Sequence, residues 1–218
     1  MNKNNSNLHE KIVALLNYLQ QHPKSLSQEP SSKKQQLEAL SNAYRGCTEC
    51  PLGSLGRNNV VFGEGNPEAH IMFVGEGPGR NEDLQARPFV GRAGQLLTKI
   101  INAMNLDRRE VYITNVVKCR PPGNRAPLPI ESSTCTQLLL FKQIAIIKPR
   151  IICSLGASAT RAFLGESTLI SQARGRFVAI HDFLLMPTYH PAYLLRNPAE
   201  KKKVWEDMKK IMENLSVK

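Results

Sequence analysis

The chain has 218 residues, enough for one α/β domain with a sizeable core and a short appendage. Its 29 basic and 18 acidic residues leave a formal charge of +11, a surplus that draws a polyanion such as nucleic acid and by itself names no partner. The opening "MNKNNSNLHEKIV" lacks the apolar core of a secretion signal, and no apolar run reaches the roughly 20 residues of a membrane span, so a cytoplasmic protein away from membranes is expected.

Along the chain, residues 8–20 carry Leu8, Ile12, Leu15, Leu16 and Leu19 at helical spacing, which predicts a short amphipathic helix. The following "QQHPKSLSQEPSSKKQQ" has little to bury and reads as a tether. A helical turn within residues 37–46 then leads into "YRGCTECPLG", where Cys47 and Cys50 stand at C-x2-C spacing. From about residue 60, short apolar runs alternate with helical segments, the pattern of a parallel sheet covered by helices. Strands are expected at 70–75, 111–117, 150–156 and 183–188. Between them, "GQLLTKIINAMNL" sets Leu97, Ile100, Ile101 and Met104 on one face, and a longer buried helix over 130–149 stops at Pro149. A shorter helix, "SATRAFLG", follows the third strand. The last helix has Asn197 as cap, Pro198 at its first position, and a stripe of Val204, Met208, Ile211 and Leu215. Lys201, Lys202 and Lys203 fall in its first turn, where the helix dipole disfavours cations. Either a phosphate offsets that or the face is simply solvated.

Ligands of an open parallel sheet bind beyond the carboxyl ends of its strands. Three loops qualify: "GEGPGRNED" after the first strand, "NVVKCRPPGNRAP" after the second and "TYHPAYLLRNP" after the fourth. The first has a G-x-G that lets backbone approach a ligand, but Pro78 and the charged run after it depart from a dinucleotide fingerprint. Phe89, in the Gly-bounded turn "RPFVGRAG", either plugs the core or stacks on a ligand. His190, just past a strand end and before Pro191, is open to acid–base work, hydrogen bonding or metal binding. Tyr193, Leu194, Leu195 and Arg196 are expected in a loop, where the leucines either seat it on the last helix or wedge between DNA bases.

The five cysteines, an odd number, argue for reduced thiols rather than a disulfide framework. A redox C-x2-C opens a helix after a strand, whereas Cys47 and Cys50 precede the first strand, so metal is the better reading. Cys119 leaves the second strand and Cys135 is expected to open the long helix, where the N-terminal partial charge favours a thiolate. These four can close one site, suited to zinc or to an iron–sulfur cluster alike. Cys153, inside "RIICSLG", reads as an inert core residue.

The ordered set "GEGPGRNED", "RPFVGRAGQLL", "YITNVVKCRPPGNRAPLP" and "HPAYLLRNP", with cysteines 47, 50, 119 and 135, resembles the family 4 uracil-DNA glycosylases over residues 44–215. The resemblance implies a three-layer α/β/α sandwich around a four-stranded parallel sheet, occupying residues 41–218. It also implies a [4Fe-4S] cluster on the four cysteines and a monomer acting on uracil-containing DNA, single- or double-stranded. The implied reaction flips deoxyuridine out and hydrolyses its N-glycosidic bond, leaving an abasic site. By the same resemblance, Phe89 stacks on the flipped base, Asn115 reads its edge, Glu82 excludes a methyl at C5, and His190 donates to O2. Backbone of Glu76, Gly77 and Pro78 also lines the base pocket. Glu76 and Asn124 stand near the attacking water or sugar, and Tyr193, Leu194, Leu195 and Arg196 face the DNA. No basic insertion interrupts "KCRPPGNRAP", so the covalent attachment to DNA found in some relatives is not expected. Residues 1–40 lie outside the resemblance, as a loosely attached extension or a tail for a replication or repair partner. The rival reading is a noncatalytic, metal-stapled module that recognises damaged DNA or ends.

Overall fold

The computed structural model describes residues 31–216. The helix expected over 8–20 lies outside them. The first described helix, α1 (Lys33–Ala43), starts earlier than the turn expected at 37–46, because Ser32 and Gln35 form a capping box. "KKQQ", assigned to the tether, is therefore its first turn. Leu37 is buried against the domain, and Lys33 donates to the Ile147 carbonyl at 2.9 Å while pairing with Glu68.

The four expected strands form the parallel centre of the sheet: β2 (Ile71–Gly75), β3 (Tyr112–Asn115), β4 (Ile151–Leu155) and β6 (Phe183–Thr188). The sheet has six strands rather than four, in the order β1-β3-β2-β4-β6-β5. The additions are short antiparallel edges, β1 (Glu64–Gly65) on β3 and β5 (Val178–Ile180) on β6. Neither segment carries the long apolar run that marks a doubly covered strand.

Side-chain alternation along β2 divides the core. Ile71 and Phe73 point to one face, with Leu97, Ile101, Leu194, Val204, Met208 and Ile211. Met72 and Val74 point to the other, with Leu37, Leu140, Phe141, Ile144 and Phe163. Helices α3 (Arg92–Ala103), α8 (Pro191–Arg196) and α9 (Lys201–Ser216) thus cover the first face. The second is covered by α1, α4 (Pro129–Cys135), α5 (Phe141–Ile147) and α6 (Ala157–Leu164). The result is the expected three-layer α/β/α sandwich. Two short helices, α2 (Arg80–Gln85) and α7 (Ile170–Ala173), lie in the connections.

Four local expectations need correction. The long helix over 130–149 is interrupted by a π-helical turn, Thr136–Leu140, between α4 and α5. Cys135 closes α4 instead of opening it, so the helix dipole does not favour its thiolate. Tyr193 to Arg196 form most of α8 rather than a loop, since Pro191 fits the first helical turn and the His190 side chain caps it. Asn197 and Pro198 begin a 3-10 turn (Pro198–Glu200), and the α-helix proper starts at Lys201.

Candidate active site and cysteine site

The parallel register pairs Gly75 with Asn115 and Leu155 with Thr188, so β2, β3, β4 and β6 end along one edge. The loops leaving them build a crevice whose floor is Gly75. A Cβ there would stand 2.4 Å from Asn115 Oδ1 and 2.4 Å from the Phe89 ring, so only glycine leaves the two side chains room to face each other.

Asn115 is 1% exposed, and its Oδ1 has no hydrogen-bond partner among the described residues. A buried carbonyl without a donor costs about 1–3 kcal/mol, a cost removed when a ligand N–H arrives. Phe89 is 6% exposed and takes a left-handed φ of 53°, which a bulky residue keeps only where its surroundings impose it. Glu82 imposes it from one side, its Oε1 accepting the N–H groups of Val90 and Gly91 at 2.9 and 2.8 Å. On the other side Arg108 donates to the Pro88 carbonyl and pairs with Glu64, which also pairs with Arg87. Burial opposes ionisation of Glu64, but hydrogen bonds from Arg87 and Arg108 outweigh it and hold the carboxyl below its usual range.

His190 stacks on Phe89, with ring centroids 5.6 Å apart and planes 30° from parallel. Its Nδ1 accepts the N–H of Ala192 at 3.1 Å, so in the neutral ring the proton sits on Nε2. Desolvation, assisted by the charge of Arg196 and opposed by Glu82, lowers its pKa to about 4. At neutral pH the residue is an uncharged hydrogen-bond donor. Gly156 admits the ring: its φ is +88°, and a Cβ would meet His190 Cβ at 2.9 Å.

In the loop after β2, Glu76 accepts a short hydrogen bond from Ser158 Oγ, in the first turn of α6. Gly77 packs on Val117, and Pro78 is buried. Ser158 is not singled out by sequence; its one signal is its place in the first helical turn after a strand end on the ligand-binding edge. Asn124 is exposed on the 3-10 turn Pro122–Asn124, where its Oδ1 accepts from Arg120 Nε at 2.8 Å. No hydrogen bond joins it to Glu76 or His190 among the described residues. Along α8, Leu194 is buried beneath the helix while Leu195 is 43% exposed. Arg196 is exposed beside it, and Tyr193 packs on Tyr189 at 4.9 Å. Leu194 thus seats the helix on the core, and Leu195 presents its side chain at the surface.

Cys47, Cys50, Cys119 and Cys135 line a single cavity on the far side of β3, together with Lys118, Leu138 and Leu139. All four are free thiols. Burial pushes Cys119 up to about 12 and Cys135 up to about 11, and each is further raised by its cysteine neighbours. A lining of four cysteines is suited to a cation-containing group that takes up thiolates. Among the described residues no three His, Cys, Asp or Glu side chains converge tightly enough to hold a single metal ion. Cys153 is fully buried in β4, and desolvation raises its thiol well above the ordinary value, as expected of a core residue.

The model of the uracil DNA glycosylase superfamily matches residues 62–209. A type-4 uracil-DNA glycosylase of Thermotoga maritima is 47% identical over 186 residues, covering 82% of this chain and 94% of the relative. Another type-4 uracil-DNA glycosylase, from Saccharolobus solfataricus, is 44% identical over 191 residues, covering 84% of this chain and 88% of the relative. A type-5 uracil-DNA glycosylase of Thermus thermophilus is more distant, at 30% identity over 166 residues, covering 62% and 75%.

Proposed function

The chain belongs to the type-4 uracil-DNA glycosylases of the uracil DNA glycosylase superfamily, and on that premise we propose how its residues excise uracil. The observation that carries the reading is a buried amide, its carbonyl without a donor, set opposite an aromatic face across a glycine floor. A flipped uracil stacks on Phe89 and presents N3–H to Asn115 Oδ1 and O4 to Asn115 Nδ2. Cytosine reverses that donor–acceptor pattern and leaves the amide mismatched, at about 1–3 kcal/mol per contact. Glu82 stands where the C5 methyl of thymine would press, held by its bonds to Val90 and Gly91.

Hydrolysis breaks the C1′–N1 bond and sends its electron pair into the base, leaving an oxocarbenium-like sugar and a uracil anion. The developing charge on O2 is met by the Nε2–H of neutral His190 and by backbone N–H groups of the 75–79 loop. Water oxygen then bonds to C1′, and its released proton neutralises the departing anion. Glu76, oriented by Ser158, positions that water, while Asn124 with Arg120 faces the sugar and phosphate of the strand. Leu195 wedges into the gap left by the flipped base, flanked by Tyr193 and Arg196, with Leu194 as its seat.

The cysteine cavity suits a [4Fe-4S] cluster, since its lining supplies the four cysteines that make up a full ligand set for one. When bound, the cluster supplies a covalent staple between the Cys47–Cys50 segment, the loop after β3 and α4. Its four ligands lie apart from the base pocket, so the chemistry is carried by the residues above. No helix among the described residues is long and apolar enough to cross a membrane. The test is incubation with a uracil-containing single strand, read as free uracil plus an alkali-labile abasic site. Binding with no release across salt and temperature would leave a noncatalytic DNA-binding module instead.

A further inference from the structure

Lys118 is a lysine with no exposed surface, lying between the cysteine cavity and the base pocket. Its Nζ donates to Thr114 Oγ1 at 2.6 Å, to the Asn115 carbonyl at 2.7 Å and to Gln143 Oε1 at 2.7 Å. The Thr114 hydroxyl gives its own proton to the Phe62 carbonyl, and the Gln143 amide donates to that same carbonyl, so both are fixed as acceptors toward the lysine. Three acceptors consume the three N–H bonds of an ammonium. The backbone N–H of the same residue donates to Cys135 Sγ at 3.3 Å, and its chain neighbour is Cys119.

Burying an ammonium is expensive, and an apolar side chain of similar volume commonly replaces a buried ion without loss of stability. The expense has a positional return here. One residue grips the backbone of the base-reading asparagine through its side chain and two cysteine ligands through its main chain. We propose that Lys118 is a positioning residue that sets the place of Asn115 in the base pocket and couples it to the cysteine site. This rests on the reading of Asn115 as the uracil-recognising amide.

The experiment uses the full chain purified anaerobically, comparing the parent with Lys118→Met, Gln143→Met and Asn115→Ala. Iron content, direct binding of free uracil, and kcat and KM on a uracil-containing single strand are measured for each. Lys118→Met is expected to keep its iron while binding uracil about tenfold more weakly, as for loss of one well-placed hydrogen bond. Its kcat should fall roughly a hundredfold, the scale of a misplacement of about 1 Å, with KM for DNA unchanged. Full iron content with parental uracil affinity would overturn the proposal. If Lys118→Met loses iron or fails to fold, Gln143→Met decides. It removes one of the ammonium's three anchors and leaves the cysteine neighbourhood intact; a several-fold loss of uracil affinity supports the proposal and parental affinity overturns it. Asn115→Ala separates the two levels: unchanged uracil binding in that variant refutes the reading of the pocket itself rather than the role of Lys118.

Discussion

The Nδ1 of His190 accepts the backbone N–H of Ala192 at 3.1 Å, and that bond decides which nitrogen carries the imidazole proton. Protonation would place a charge in a desolvated crevice beside the Arg196 guanidinium, only partly offset by Glu82, which is why the pKa falls to about 4 from an ordinary 6.5. Between those values the unfolded chain binds the proton and the folded chain does not. Stability from this residue is therefore fully present above about pH 6.5 and is withdrawn as pH falls toward 4.

Activity follows the opposite-looking but consistent rule that the neutral donor persists down to its folded pKa. In single-turnover assays on a uracil-containing strand, the His190 contribution should stay flat from about pH 8 to about 5 and change near 4. A rate that titrates near 6.5 would mean that the ring is solvated rather than buried in the crevice. His190→Ala should cost on the order of 10²–10³ in kcat, as for loss of one oxyanion-hole donor, with the thermal midpoint little changed.

Glu82 has two tasks, and they can be separated. Its carboxylate supports the strained turn at Phe89 and its bulk borders the base. Glu82→Gln keeps the volume and an acceptor oxygen, so uracil-over-thymine preference should persist with a modest rate loss. Glu82→Ala frees the two N–H groups, each about 1.5–3 kcal/mol when bonded to a charged acceptor, and opens space for a methyl. Slow release of thymine from T·G mismatches, together with a reduced uracil rate, is the expected product pattern. An unchanged preference in Glu82→Ala would remove the steric role.

Legibility in the sequence tracks burial. Strands β2, β3, β4 and β6 are visible because they are covered on both faces and carry runs of mostly apolar residues. The edges β1 and β5 are not, since two or three residues held by a neighbouring strand leave no pattern. The place of Cys135 along its helix is hidden because a π-helical turn does not alter the composition of an apolar run. The tether reads too long because a capping box at Ser32 and Gln35 is built from the same polar residues as a linker. Among the site residues, His190 and Phe89 stand out by position, one just past a strand end and the other between glycines, whereas Asn115, inside the strand expected over 111–117, is marked only by the family resemblance. Ser158 and Lys118 do not, because a hydroxyl in a first helical turn and a lysine after a strand are ordinary on a surface. What they do depends on partners 82 and 25 residues away, Glu76 and Gln143.

The cysteine site should separate from the fifth thiol by a simple criterion. Protein prepared anaerobically should carry about four irons, the count of a cubane cluster held by a full set of cysteine thiolates, with a broad visible absorbance. Replacing Cys119 or Cys135 by Ala should remove the iron and lower the thermal midpoint, whereas Cys153→Ala should keep the iron and lose only core packing. Stoichiometric zinc in a colourless preparation would overturn the cluster assignment while leaving the four-cysteine site in place.

Gly75 tests the pocket without altering any side chain that performs chemistry. Its backbone belongs to β2, and its carbonyl accepts the N–H of Val116 at 2.9 Å, so an alanine keeps the ladder intact. The added methyl would sit 2.4 Å from both Asn115 Oδ1 and the Phe89 ring, well inside contact distance. Asn115 is fixed from behind by Lys118, and Phe89 by Glu82 and Arg108, so neither yields without cost. Overpacking of this kind costs about 1–3 kcal/mol, which for a chain of this size lowers the thermal midpoint by several degrees and not more. The effect on recognition should be far larger, because the methyl occupies the floor on which the base lies. Gly75→Ala is expected to bind DNA at parental affinity while releasing uracil at least roughly a hundredfold more slowly, the loss set by a displaced substrate. Near-parental release would mean that the base lies elsewhere than across Gly75.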